Sequence, residues 1–191
     1  MTFEIVRPHP RWLEPYLDMC CVSWGHLHDN YILHNPADFS RWKERIFSNY
    51  RNQEAGIGLP PGIVPSITFW LIEPGTDGKN DECLGVLNLR RVLTEKLRRY
   101  GGNVGIVIRP DRRGRGIASE LLRRLPELFE RLKIQDDILL TCFENNIPSR
   151  RMLEKIEGAR LERDIVAIEG KPVSILRFAI PHSGSSERNE S

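Results

Sequence analysis

The segment Gly105-Ile106-Val107-Ile108-Arg109-Pro110-Asp111-Arg112-Arg113-Gly114-Arg115-Gly116-Ile117-Ala118-Ser119 organises the reading of this chain. Val104 to Ile108 is an apolar, β-prone run halted at Pro110. Beyond the glycines, Ile117, Leu121, Leu125, Leu128 and Leu132 recur three or four residues apart. That spacing predicts an amphipathic helix over 117–132, bent at Pro126. A strand thus feeds a short loop, then Gly114 and Gly116, then a helix. A helix N-terminus carries unpaired N–H groups and partial positive charge. Glycines let an anion approach the backbone, and flanking arginines add charge-assisted bonds. On these grounds the segment is a pyrophosphate cradle. The competing reading is two glycines shaping a tight turn, with solvated arginines. It leaves unexplained why strand, arginines, glycines and helix follow one another without interruption.

Two familiar nucleotide motifs do not fit. The pattern G-x-x-x-x-G-K-[ST] is absent. Gly114-x-Gly116-x-x-Ser119 is a near miss to the dinucleotide fingerprint, but that fingerprint needs its acid after the next strand. Asp136 and Asp137 precede the next strand, 138–142. Five residues also separate the first strand from the first glycine, where a tight turn is required.

Working outward, Phe3 to Val6 reads as a strand stopped by Pro8 and Pro10, and residues 11–24 as a helix. Asp38 to Tyr50 reads as a second helix with Phe39, Trp42, Ile46 and Phe47 on one face. GIGLPPG is a loop. Ile67 to Ile72 and Leu84 to Leu89 form a hairpin around EPGTDGKNDE, followed by a charged connector containing TEKLRRYGG. Ile138 to Cys142 is a strand, and Ile147 to Ile156 a short helix closed by Gly158. Ile165 to Ile168 and Ser174 to Ile180 form a last hairpin. The order β-α-α-β-β-β-α-β-α-β-β predicts an α/β (α+β) fold: a mixed, mostly antiparallel central sheet flanked by helices, in a single domain over residues 1–180. The polar residues 181–191 read as a disordered tail.

Composition limits the function classes. The chain has 191 residues, enough for one domain with a real core. Its 28 basic and 26 acidic residues leave a net charge of +2, so neither nucleic acid nor an anionic membrane is an expected partner. The arginines at 109, 112, 113, 115, 123 and 124 lack the interleaved aromatics of a nucleic-acid surface. The four cysteines make no C-x-x-C pair, and no metal-ligand spacing appears, so no metal is expected. Neither a leader nor a membrane-spanning run is legible, which predicts a cytoplasmic protein with reduced thiols. Oligomeric state stays open, with a homodimer among the options.

The cradle resembles the phosphate loop of the GCN5-related N-acetyltransferases (GNAT). That loop follows Q/R-x-x-G-x-G/A, and Arg113-Gly114-Arg115-Gly116-Ile117-Ala118 fits every fixed position. A second family element, N-x-x-[SA] opening a helix after a strand, is matched by Asn146-Ile147-Pro148-Ser149. It continues through Arg150-Arg151-Met152-Leu153-Glu154-Lys155 to Gly158-Ala159. The likeness is specific over 84–162. Gly62-Ile63-Val64-Pro65, the strand from Gly85 to Arg90 and Gly101-Gly102 further resemble one subgroup of acetyltransferases.

The resemblance implies an enzyme that moves an acetyl or other acyl group from acetyl-CoA, its co-substrate, to a primary amine on a small molecule or peptide. It implies that Ile106, Val107 and Ile108 expose backbone groups to the pantetheine arm. The amides of Gly114, Arg115, Gly116, Ile117, Ala118 and Ser119 would hold the pyrophosphate, with charge from Arg113 and Arg115 and, more loosely, Arg112. Asn146 would bond the pantetheine or the thioester side; equally, it is a good helix N-cap. The chain departs from the family where chemistry is expected. Many members carry a Tyr seven residues after that Asn, and Leu153 stands there. N-terminal acetylators often carry a Glu on the fifth strand, and Thr141 stands there. No catalytic residue is assigned. His26, His28, Asp29 and His34, in the loop after the first helix, are open candidates for a base; Glu73 and Glu82 are weaker ones. Cys142 reads as core. A binding module that has lost catalysis is the alternative these departures motivate.

Overall fold

The computed structural model describes residues 2–24, 34–76 and 80–182. They fall into two compact units, interleaved along the chain: Met1–Leu89 with Ile106–Ile117, and Arg90–Gly105 with Ala118–Ser191. The loop candidates His26, His28 and Asp29, and residues 183–191 of the tail, lie outside the described residues.

The first unit holds β1 (Glu4–Val6), α1 (Leu13–Ser23), α2 (Phe39–Trp42), α3 (Ile46–Ala55), β2 (Ser66–Glu73) and β3 (Glu82–Arg90, to Leu89). β4 (Val104–Ile108) completes a four-stranded sheet of order β1-β2-β3-β4. β1 runs antiparallel to β2, with Ile5 opposite Leu71. β2 and β3 are buried along nearly their whole length, which explains their continuous apolar runs. A Cβ at Gly85 would stand 2.5 Å from the Val107 carbonyl oxygen, so only glycine admits β4 this close to β3. Tyr16, Met19 and Cys20 of α1 pack with Trp42, Ile46, Trp70, Ile72, Cys83, Val86 and Val107 into the core of this unit.

The expected helix over 38–50 is two helices. Residues 43–45 form a turn between α2 and α3. All three are exposed and charged, whereas Trp42 and Ile46 on either side are buried. The Trp42 indole N–H donates to the Asn35 carbonyl at 2.8 Å. The break keeps that ring and Ile46 both in the core while the charged run stays in water.

The second unit holds α4 (Glu95–Arg99), α5 (Ile117–Arg131, from Ala118), β5 (Ile138–Phe143), α6 (Ile147–Leu153), β6 (Arg160–Ile168) and β7 (Lys171–Ile180). Its sheet is antiparallel with order β5-β7-β6. α5 runs through Pro126 as one helix and buries Leu121, Leu122, Leu125, Leu128 and Phe129. α4 occupies part of what the sequence suggests is a mere connector. Thr94 caps it by accepting from the Leu97 N–H at 3.2 Å, and three basic residues close its last turn. The final hairpin is longer than the apolar pattern indicates, because β6 is an exposed edge strand carrying charges.

Candidate active site

The cradle forms from local backbone rules. Pro110–Arg112 make one turn of 3-10 helix after β4. Arg113 is extended, with φ −65° and ψ 159°. Gly114 and Gly116 both take left-handed backbone, with φ of 75° and 80°. α5 begins at Ile117, so Ala118 and Ser119 lie in its first turn. A Cβ at Gly114 or Gly116 would meet nothing within 4 Å. These glycines therefore serve conformation, and the space beside them is open to a ligand. Residues 113–116 are all exposed. The Arg113 Nε–H donates to the Ile108 carbonyl at 3.1 Å, tying the turn to β4. Ile106, Val107 and Ile108 lie on that strand, the last in the order of its sheet.

The arginines of the run divide into two kinds. Arg109 is only 5% exposed. Its Nη1 sits 3.0 Å from Asp18 Oδ2 and 2.9 Å from Glu82 Oε1, and its Nε donates to Asp111 Oδ1 at 2.8 Å. Burial works to lower the Arg109 pKa, but the Asp111 bond and the Glu82 and Asp18 charges outweigh it and leave the pKa raised. That bond from Arg109 also holds the Asp111 carboxyl below its ordinary value. Arg112 donates to Glu82 Oε2 at 2.9 Å, so it is already paired and does not stand beside Arg113 as open charge. Among the described residues, Arg113 and Arg115 have no carboxylate partner.

Asn146, in the second unit, caps α6: its Oδ1 accepts from the Ser149 N–H at 3.3 Å. The capping role and a ligand role are compatible, since the side-chain NH2 remains a donor. Leu153 is buried at 2% exposure, as an apolar residue at that position should be. The Thr141 hydroxyl accepts from the Gly101 N–H at 3.0 Å and so holds a turn. Cys142 is a buried thiol whose pKa burial pushes up, the opposite of an activated nucleophile.

His34 is half-buried against aromatic rings of the first unit. Its Nδ1 lies 2.8 Å from the Tyr16 hydroxyl, and its ring packs 4.6 Å from that of Trp42 and 5.6 Å from that of Tyr50. Burial lowers its pKa to about 4, so it cannot accept an ammonium proton near neutrality. Glu82 is committed to Arg109 and Arg112. Sequence reasoning did not foresee the Tyr16–His34–Tyr50 cluster. Its only signal is three polar-tipped residues at positions that also suit an apolar face. Among the described residues no group of three His, Cys, Asp or Glu side chains could hold a metal ion.

The acetyltransferase (GNAT) domain profile matches residues 18–158, a span that covers the cradle, Asn146 and parts of both units. The chain belongs to the GNAT family of acetyltransferases. A comparison with curated proteins finds no match. Similar solved structures include RimL, a ribosomal L7/L12 alpha-N-protein acetyltransferase in complex with coenzyme A. It has a TM-score of 0.64 and 14% identity, with 96% of each chain covered. The ribosomal-protein-S5-alanine acetyltransferase of Vibrio fischeri also has a TM-score of 0.64, with 13% identity over 96% of this chain and 94% of that one. A point mutant of the spermidine N-acetyltransferase SpeG of Vibrio cholerae has a TM-score of 0.54 and 16% identity, with all of both chains covered. At these identities the likeness speaks for the fold, and the family profile makes the chain an N-acetyltransferase.

Proposed function

We propose that this chain transfers an acetyl group from acetyl-CoA to a primary amine by direct attack. The observation that carries the reading is the cradle: two left-handed glycines with open space beside them, flanked by exposed Arg113 and Arg115, at the start of a 15-residue helix. The N–H groups from Gly114 to Ser119 hold the pyrophosphate, and Arg113 and Arg115 add charge. Ile106, Val107 and Ile108 offer the edge of β4 to the pantetheine amides. Asn146 contributes its side-chain NH2.

Bound acetyl-CoA supplies an activated acyl carbon and a thiolate leaving group, whose thiol pKa of about 8.5 lets it depart without a protein acid. The chain's own part is to bind, orient and hold the reacting groups together, which by itself removes a large share of the barrier. The absence of an acid at Leu153 or Thr141 fits that division of labour. We place the protein in the cytoplasm, where the four free cysteines stay reduced. Among the described residues, no helix is long and apolar enough to cross a membrane.

The test is calorimetric titration with acetyl-CoA and, separately, with NAD. Micromolar binding of the first and none of the second is expected. Gly116→Asp should weaken acetyl-CoA binding by about 100-fold or more, because a carboxylate enters the phosphate space. The global fold should survive at a cost of about 1–2 kcal/mol: a Cβ there meets nothing within 4 Å, but a φ of 80° strains any residue other than glycine. Unchanged affinity in the variant sinks the site assignment. Binding without thiol release across a broad amine panel sinks the transferase reading and leaves a binding module. Turnover should persist in the presence of a chelator.

A further inference from the structure

The charge around the cradle shows a feature that coenzyme A binding alone does not explain. Four arginines, at 109, 112, 113 and 115, lie within seven residues. If all served a phosphate ligand, none would need a carboxylate. Yet three carboxylates, Asp18, Glu82 and Asp111, meet at Arg109, and Glu82 reaches Arg112 as well. Glu82 therefore bridges two arginines with its two oxygens, Oε1 to Arg109 at 2.9 Å and Oε2 to Arg112 at 2.9 Å. The cluster joins α1, the start of β3 and the turn after β4, all within the first unit. Arg112 retains 28% side-chain exposure, so it is held at the surface next to Arg113 and Gly114 and is not locked away in the core. Its other carboxylate neighbour, Asp111 Oδ2, is more distant at 3.9 Å.

We propose that Glu82 sets the charge of the cradle by withholding Arg112 from it, with buried Arg109 as the counter-ion that allows carboxylates this close to a phosphate site. Glu82 is a positioning residue that acts through Arg112. The consequence is limited affinity: a cradle with two open arginines binds a multiply charged ligand less tightly, and less salt-dependently, than one with three. An enzyme that must release coenzyme A in every cycle gains from that restraint. A bridge that merely braced the fold would act in the opposite direction, since its loss would loosen the turn and weaken binding.

The inference rests on the coenzyme A reading above, and its test separates the two. Coenzyme A is titrated into wild type, Glu82→Gln, Arg112→Gln and the double variant at low and high salt, with thermal unfolding to confirm the fold. Glu82→Gln should bind about three- to tenfold more tightly at low salt, and lose that gain at high salt. The double variant should lose the gain and match Arg112→Gln within about twofold. Arg112→Gln alone should bind no more tightly than wild type and lose at most about threefold at low salt, because its charge is already committed to Glu82 and the carboxylate it leaves keeps Arg109 as partner. Weaker binding in Glu82→Gln, or a gain that persists without Arg112, overturns the inference. If Glu82→Gln does not fold, Arg112→Gln still decides: a tenfold loss would mean that Arg112 already meets the ligand. If wild type binds no coenzyme A, the functional reading itself falls. If wild type binds and Gly116→Asp does not, a failed Glu82→Gln gain removes this inference alone.

Discussion

At the scale of single residues, His34 is the clearest case of environment overriding identity. A histidine in a polar loop is ordinarily a candidate base, but this one is half-buried and packs against the rings of Tyr16, Trp42 and Tyr50. The hydroxyls form a chain, Tyr50 donating to Tyr16 at 3.2 Å, with Tyr16 bonded to His34 Nδ1. Burial raises the Tyr16 pKa well above its ordinary value, so the hydroxyl stays protonated and can donate to a neutral imidazole. The His34 pKa is about 4 in the fold against an ordinary 6.5. Between those values the unfolded chain binds a proton that the folded chain does not, so stability falls as pH drops through this window. Stability from this source is fully present above pH 6.5 and lost by about pH 4, at most about 3 kcal/mol. Denaturant melts of wild type and His34→Gln at several pH values check this: the variant should show a flatter dependence between pH 4 and 6.5. Equal slopes would mean that His34 titrates normally.

At the scale of elements, the stretch between β3 and β4 shows how much of the design lies in loops. Gly102 has a φ of 61°, and a Cβ there would stand 2.1 Å from the Leu139 carbonyl oxygen of β5. The next residue locks the same junction: Asn103 N–H donates to Leu139 O at 3.0 Å, while its Oδ1 accepts from Leu139 N–H at 2.8 Å. The Arg90 guanidinium donates to the Gly101 and Gly102 carbonyls, so it braces this loop. Arg99 likewise pairs with Asp164. Gly102→Ala combines left-handed backbone with a backbone clash and should lower stability by at least about 2 kcal/mol. Chemical unfolding measures it, and a change below about 0.5 kcal/mol would contradict the packing. The glycine pair is visible in the sequence, but its reason is a contact with residue 139, which no local pattern carries. Long periodic segments such as α5 and the apolar runs of β2, β3 and β4 are legible because one face or both faces are buried along their length. α4, the break between α2 and α3, and the charged first half of β6, residues 160–164, are not, because caps and solvent exposure decide them.

At the scale of the whole molecule, the two compact units are not successive pieces of chain. The backbone crosses between them after Leu89, after Gly105 and after Ile117. β4 and α5 each contribute residues to both units. Melting either unit therefore removes part of an element that the other uses, which predicts one cooperative unfolding transition. Calorimetry checks this: a single peak with equal calorimetric and van't Hoff enthalpies is expected, and acetyl-CoA at about 100 times its Kd should stabilise it by about 2.7 kcal/mol. Two resolved peaks would show independent domains.

The sequence alone determined the family and the form of the turn that leads into α5, because both rest on short-range rules. Left-handed glycines, a helix start and adjacent arginines are all encoded within about ten residues. It also determined that the usual acid at Leu153 is missing, since identity at one position suffices for that. Only the tertiary structure decided which charges remain available. Whether Arg112 is open or paired depends on Glu82, thirty residues away, and whether His34 can act as a base near neutrality depends on its packing against Tyr16, Trp42 and Tyr50. Protonation and pairing are set by neighbours brought together through packing, and spacing along the chain does not record them.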